Sequence, residues 1–577
     1  MITPDLLSVS RGDSPAELLL TNARVINVFS QGLDKANVAI HGGRIAGVGP
    51  YTRAVESIDL AGAYIGPGFI DAHMHVESTL LPPSEFVKLA APHGTTSVVL
   101  DPHEIANVLG LAGIRYLMDD ARGLTLNAMF ALSSCVPSSH LETSGAQLEA
   151  HHLEPLFDDP RVVALAEMMN FPGVVNADPG VLAKINLGLE RRVVDGHAPG
   201  LRGFGLQAYA AAGISSDHEC TTLEEAQEKL RLGMRVFIRE GSAARNLEAL
   251  LPAITPANGH RFSFCTDDRH PADLVDDGHI DHVIRRAVRL GLDPILAIAI
   301  GSFHTAQHYR QRDLGAVAPG YQADLVVFDD LRDIRPRLVF YRGRLVARDG
   351  KLIENTRHGT GSRAAVPPPS ALRLSAQLSE ASFAIPAQPG AGAIRVIGMD
   401  PHQLVTASLT MPPAVDRGRY VSDLDRDMLK LAVIERHRGT GNIGRGFVQG
   451  FGLRDGALAS TVGHDSHNLA IVGTNDRDML IAARSLESVG GGQCAVRDGA
   501  VLALLPLPIA GLMSDQPAAT VIAQQAELLK ASHALGCPHH DPFMPLSFLP
   551  LPVIPHLKLT DLGLVDVDRF AIVPLEA

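Results

Sequence analysis

Residues 66–315 alternate short apolar runs with amphipathic stretches, and polar residues of metal-binding type close several of the apolar runs. This alternation constrains the fold more than composition does. Thr95-Thr-Ser-Val-Val-Leu100, Thr125-Leu-Asn-Ala-Met-Phe130, Val162-Val-Ala-Leu-Ala166, Val193-Val-Asp195, Arg235-Val-Phe-Ile238 and Arg261-Phe-Ser-Phe-Cys265 read as strands. Segments 105–120, 178–191, 204–212, 221–233 and 279–291 space their apolar residues as helices do. Strand–helix repetition over about 250 residues predicts an α/β fold built as a (β/α)8 TIM-like barrel, whose functional side chains sit just after the strand C-termini.

The flanks read differently. Residues 17–65 hold short alternating runs separated by turns such as His41-Gly-Gly43, and Ala323-Asp-Leu-Val-Val-Phe328 and Arg337–Val346 repeat that character downstream. Residues 1–65 plus 316–360 are therefore expected to pair into one discontinuous β-sandwich domain around a barrel at 66–315. Residues 359–393 are rich in Pro, Ser, Ala and Gly, which predicts a linker at 361–392. An additional C-terminal α+β domain follows at 393–577, with strands at 393–397 and 469–472 and helices at 425–436, 475–488 and 517–534. A chain of 577 residues exceeds what one core accommodates.

Net charge is −13 with no long basic run, which argues against nucleic-acid binding through phosphates. Five scattered cysteines without a CxxC pair fit a reducing, cytoplasmic setting rather than a disulfide framework. The first eleven residues lack a signal pattern, and no apolar run is long enough for a transmembrane helix, so no membrane association is expected.

The chemistry begins at Gly66-Pro-Gly-Phe-Ile-Asp-Ala-His-Met-His-Val-Glu77. His73 and His75 are two apart, so on a strand both imidazoles face one side and can meet one ion. Other strand ends add Glu167, His197, His218 and Asp267. Singly each has a bland reading: His197 as a helix-start residue, Glu167 as a surface charge, Asp267 as an N-cap. Jointly, six ligand-type residues at strand ends predict a site for one or two divalent ions, with a carboxylate as bridge if there are two.

The order HxH, Glu, His, His, Asp resembles the amidohydrolase superfamily, and the flanking β segments resemble its composite sandwich. Several members place a carboxylated lysine on the fourth strand. Here the fitting residue is Glu167, and Lys184 falls in a helical stretch. Longer stretches narrow the resemblance: Asp101-Pro-His-Glu-Ile-Ala-Asn107, Glu167-Met-Met-Asn-Phe-Pro-Gly-Val174, Asp195-Gly-His-Ala-Pro199, Ser216-Asp-His-Glu219, Gly463-His-Asp-Ser-His-Asn468 and Pro542–Leu549 are similar to bacterial adenine deaminases. This similarity runs nearly end to end.

The resemblance implies hydrolysis of adenine at C6 to hypoxanthine and ammonia in purine salvage. It also implies two divalent transition-metal ions, manganese or iron with zinc as an alternative, and a homodimer. Water held by such ions is far more acidic than bulk water. Asp267 is expected to carry the water's proton. Asp101, His103 and Glu219 are expected at the reacting ring as catalytic groups, and Asp101, His103 and Glu77 as substrate contacts, with Glu104 nearby. Asp101 can alternatively cap the helix starting near 105, and Glu219 faces the site only if the strand breaks after His218. His464 and His467 form either a tight polar turn or a lid over the barrel mouth. Two other functions stay open: an amidohydrolase acting on a cyclic amide or N-acetyl group, and a non-catalytic scaffold.

Overall fold

The structure, a computed structural model, describes residues 2–242, 244–353, 365–369, 372–400 and 404–577. At its centre lie eight parallel strands: β1 (Phe69–Met74), β2 (Thr95–Leu100), β3 (Asn127–Leu132), β4 (Val162–Met168), β5 (Val193–Gly196), β6 (Ser216–Asp217), β7 (Arg235–Arg239) and β8 (Phe262–Cys265). The first five hydrogen-bond in the order β5-β4-β3-β2-β1 and the last three in the order β6-β7-β8. Backbone hydrogen bonds cross both seams: the Asp267 amide donates to His73 at 3.1 Å, and the Ser215 amide donates to Val194 at 2.9 Å. β1, β2 and β4 are buried along their whole length, as strands covered on both faces must be.

Helices separate successive strands, including His103–Leu109, Leu111–Asp120, Pro179–Arg191, Gly203–Ala211 and Leu223–Arg231, and Ile280–Arg289 follows β8. The expected single helix at 105–120 is broken at Gly110, which adopts φ +60°, a conformation open to glycine at little cost. Gly68 has a different task. A Cβ there would overlap the Thr96 side chain, so only glycine lets β1 pack this closely on β2.

The strand set encloses small and branched side chains, among them Ile70, Ala72, Val99, Ala131, Val163 and Ala166. Two buried polar clusters tie these strands together. The Tyr309 hydroxyl lies 2.7 Å from the Ala72 carbonyl and 2.9 Å from Asp195, which also meets His308 and Ser216. Asp71 accepts from Thr266 and lies 3.0 Å from His279, linking β1 to the end of β8.

The early and late β segments hydrogen-bond into one nine-stranded sheet. Strand Ala16–Asn27 pairs with Gly32–His41, Ala54–Asp59 and Tyr64–Pro67, and the last of these pairs with Leu325–Phe328 from the far end of the central unit.

The C-terminal portion holds an eight-stranded mixed sheet with helices Asp476–Ser488 and Ala518–Ala534. One expectation fails here. Residues 425–436 are not a helix: Met428–Ile434 is a strand buried at all seven positions, paired with Ile443–Gln449 and Leu469–Gly473. A run that is apolar except for Lys430 suits a strand covered on both faces as well as a buried helix, and here the sheet decides. Part of the expected linker at 361–392 lies outside the described residues. Its later part is packed, with Leu372, Leu374, Leu378 and Phe383 in one core with Ala432 and Leu469.

Candidate metal and substrate site

All six ligand-type residues converge at the C-terminal ends of the eight strands. Each is buried, and Glu167 stands between them. Its Oε1 lies 3.7 Å from His73 Nε2, 3.3 Å from His75 Nε2 and 3.3 Å from His103 Nδ1. Its Oε2 lies 2.6 Å from His197 Nδ1 and 3.2 Å from His218 Nε2. Asp267 Oδ1 completes one side, 3.3 Å from His73 Nε2 and 3.1 Å from His75 Nε2. Each carboxylate oxygen of Glu167 therefore serves a different group of imidazoles.

The local sequence explains this. β1 presents His73 from the strand itself, and His75 follows at its end, so the two-residue spacing keeps both rings on one side. β4 carries Glu167 near its C-terminus. β6 ends at Asp217, so His218 and Glu219 both lie beyond it and escape strict alternation. The break required for Glu219 is present: its Oε1 is 3.4 Å from His218 Nε2 and 3.8 Å from His197 Nδ1. Asp267 takes φ +59°, a left-handed conformation that turns the chain directly after β8.

The donor set fits divalent cations. His73 Nε2 and His218 Nε2 are buried without a hydrogen-bond partner, and each faces carboxylate oxygens. Lone pairs on both sides repel unless a positive charge lies between them, supplied by protons or by a metal. Protonation accounts for the titration behaviour. Burial pulls His218 down, but Glu167 outweighs it and lifts the imidazole to about 9. Burial resists ionisation of Glu167, yet His197 and His218 hold its carboxyl well below the ordinary range. Metal ions would displace those protons. Imidazole with carboxylate suits zinc, manganese or iron.

The expected ring-side residues border this cluster. Asp101 does two things: its Oδ1 accepts the His103 amide at 3.1 Å, and its Oδ2 lies 3.2 Å from His103 Nδ1. Glu77 accepts the Ile105 amide through Oε1, while burial raises its carboxyl to about 7. Glu104 lies 3.1 Å from His103 Nε2 and faces His464 and His467. Lys184, by contrast, donates to the Ser134 carbonyl from its helix. Sequence reasoning passed over Arg239, at the end of β7. Its guanidinium donates to Glu219 and, at 2.7 Å, to Asp267. Its position at a strand end was the available signal, but a cation is not a ligand type.

Glu219 and Arg239 open onto a cavity of about 1230 Å³. Asn170, Phe171 and Arg245 line it from the central unit, and His540, Met544 and Val553 line it from the C-terminal portion. Among the described residues, no helix is long and apolar enough to cross a membrane.

Comparisons with known proteins agree with the geometry. The model for the amidohydrolase family matches residues 64–346, and that for the adenine deaminase C-terminal domain matches residues 403–571. The adenine deaminase of Desulfatibacillum aliphaticivorans is 48% identical over 577 residues, 100% of both chains. That of Nitratidesulfovibrio vulgaris (strain DP4) is 49% identical over 570 residues, 98% of each chain. That of Methanothrix thermoacetophila is 47% identical over 573 residues, 99% of each. Among solved structures, the L-hydantoinase (dihydropyrimidinase) of Arthrobacter aurescens is 14% identical with a TM-score of 0.46, covering 59% of this chain and 98% of that one.

Proposed function

The chain belongs to the adenine deaminase family, and we propose that it hydrolyses adenine to hypoxanthine and ammonia at the site around Glu167. The observation that carries the mechanism is the division of Glu167, with one oxygen toward His73 and His75 and the other toward His197 and His218. We read this as a site for two ions: His73, His75 and Asp267 would hold one and His197 and His218 the other, with Glu167 offering one carboxylate oxygen to each group. When bound, such ions lower the pKa of water and stabilise charge developing on oxygen.

The residues of the chain do the rest. We assign Asp267, whose Oδ2 accepts from Arg239, to take the proton of the attacking water. Burial opposes its ionisation, but the Arg239 guanidinium keeps its carboxyl well below the usual range, so it starts as a proton acceptor. Addition at C6 needs a proton at ring N1, and the departing amine needs one to leave as ammonia. Glu219 borders both the cluster and the cavity, so we assign it to the ring. His103 and Asp101, held together beside Glu167, flank the same position. Glu77 supports the amide end of helix His103–Leu109 and acts from behind.

We read the eight strands as a closed (β/α)8 barrel at 66–315. Residues 1–65 with 316–360 form the composite β domain, and 393–577 form the C-terminal domain. The seam hydrogen bonds and the single nine-stranded sheet support this division.

A substrate screen tests the function. Manganese-loaded protein should convert adenine to hypoxanthine, followed by the change in purine absorbance, and leave hydantoin and N-acetyl substrates intact. Turnover of adenosine in place of adenine would overturn the free-base assignment.

A further inference from the structure

The loop between strands Ala457–Ser460 and Leu469–Gly473 leaves the C-terminal sheet and reaches the central unit. It is pinned at several points. The His464 amide donates to Ser547 at 2.8 Å, His437 Nε2 lies 2.7 Å from the Ser466 carbonyl, and Asn468 donates to the Thr143 carbonyl at 2.8 Å. The His464 ring stacks on Phe548, with centroids 4.3 Å apart and planes at 8°.

Both imidazoles of this loop meet one carboxylate. His464 Nδ1 lies 2.6 Å from Glu104 Oε1, and His467 Nε2 faces Glu104 Oε2. The Gly463 amide donates to His467 Nδ1 at 3.1 Å, so in the neutral ring the proton sits on Nε2, the nitrogen that approaches Glu104. Glu104 Oε1 in turn lies 3.1 Å from His103 Nε2, and His103 Nδ1 lies 3.3 Å from Glu167. A continuous buried chain therefore runs from the C-terminal loop to the centre of the metal-type cluster.

We propose that His464 and His467 are positioning residues for the deamination: they clamp Glu104, and through it they fix the ring of His103 beside Glu167. This rests on the adenine reading above. It gives the C-terminal portion a part in the chemistry beyond covering the cavity. A histidine ring fixed at both nitrogens cannot rotate away from the reacting position, and a displacement of about 1 Å there costs about 10²-fold in rate.

The test is a double-mutant cycle in the full-length, metal-loaded protein. His467→Asn, His464→Gln and Glu104→Gln should each lower kcat on the order of 10²-fold while KM stays within about threefold. Because the histidines act through Glu104, adding His467→Asn to Glu104→Gln should cost nothing further in kcat, and metal per chain should equal that of the parent protein. An unchanged kcat in the histidine variants, or losses that multiply in the double variant, would overturn the proposal. Loss of one metal equivalent would also overturn it, making the His103, Glu104 and Asp465 group a cation site instead. If the parent protein leaves adenine untouched, the functional reading fails on its own. The crystal structure of His467→Asn then decides the clamp: a turned His103 ring supports it, and an unmoved ring refutes it.

Discussion

Arg239 Nη1 donates to Asp267 Oδ2 at 2.7 Å, and the same guanidinium brackets both oxygens of Glu219. One buried cation thus holds the residue assigned to the water and the residue assigned to the ring. Planar, two-sided donation of this kind is what arginine provides and lysine does not.

Removing that cation takes the guanidinium from two buried carboxylates, Asp267 and Glu219. Arg239→Met should destabilise the metal-free protein by about 3–5 kcal/mol, measured by denaturant unfolding. In the metal-loaded protein, Arg239→Lys should fold but lose turnover, because a single ammonium cannot orient both carboxylates.

Asp267→Asn replaces the residue we assign as proton acceptor while keeping size and shape. The rate should fall on the order of 10²–10⁴-fold, read as kcat for adenine in protein whose metal content has been measured. Retention of full activity would show that Asp267 carries no proton.

Glu142 offers a pH test away from the reacting centre. It is buried, accepts from Ser138 at 2.9 Å, and its carboxyl is raised to about 8 by burial and then by Asp465. A carboxyl raised on folding contributes stability that is complete below its unfolded pKa and is lost as pH rises through the folded value. Glu142→Gln mimics the protonated form. Relative to the parent, the variant should gain stability as pH rises from 4.5 to about 8, by up to about 1.4 kcal/mol per pH unit. A constant difference between the two proteins across that window would contradict the assignment.

Tyr309 tests the scaffold beneath the candidate ligands. Its hydroxyl touches the Ala72 carbonyl, next to His73, and Asp195, two residues before His197. Tyr309→Phe should weaken metal affinity about 10–100-fold, measured by competition with a chelator, without abolishing folding.

Much of this was legible in the sequence because strand ends in an α/β unit are where side chains escape the core. His73, His75, Glu167, His197, His218 and Asp267 stand at such ends, and the two-residue and strand-terminal rules locate them without coordinates. Glu219 was harder, since its orientation depends on where β6 stops. Arg239 was passed over because its role is set by partners 20 and 28 residues away and not by its own neighbours. The Glu104–His464 contact spans 360 residues, beyond any local pattern. Residues 425–436 misled for another reason: Met428–Ile434, apolar except for Lys430, lacks a regular alternation, and only its sheet partners make it a strand.

The most direct test of the two-ion reading centred on Glu167 is a metal titration of chelator-stripped protein with manganese, following adenine turnover and bound metal together. Activity should rise until two equivalents are bound per chain, and Glu167→Gln should fail to retain the pair. Full activity at one equivalent, or a Glu167→Gln variant that holds two ions and turns over adenine normally, would contradict it.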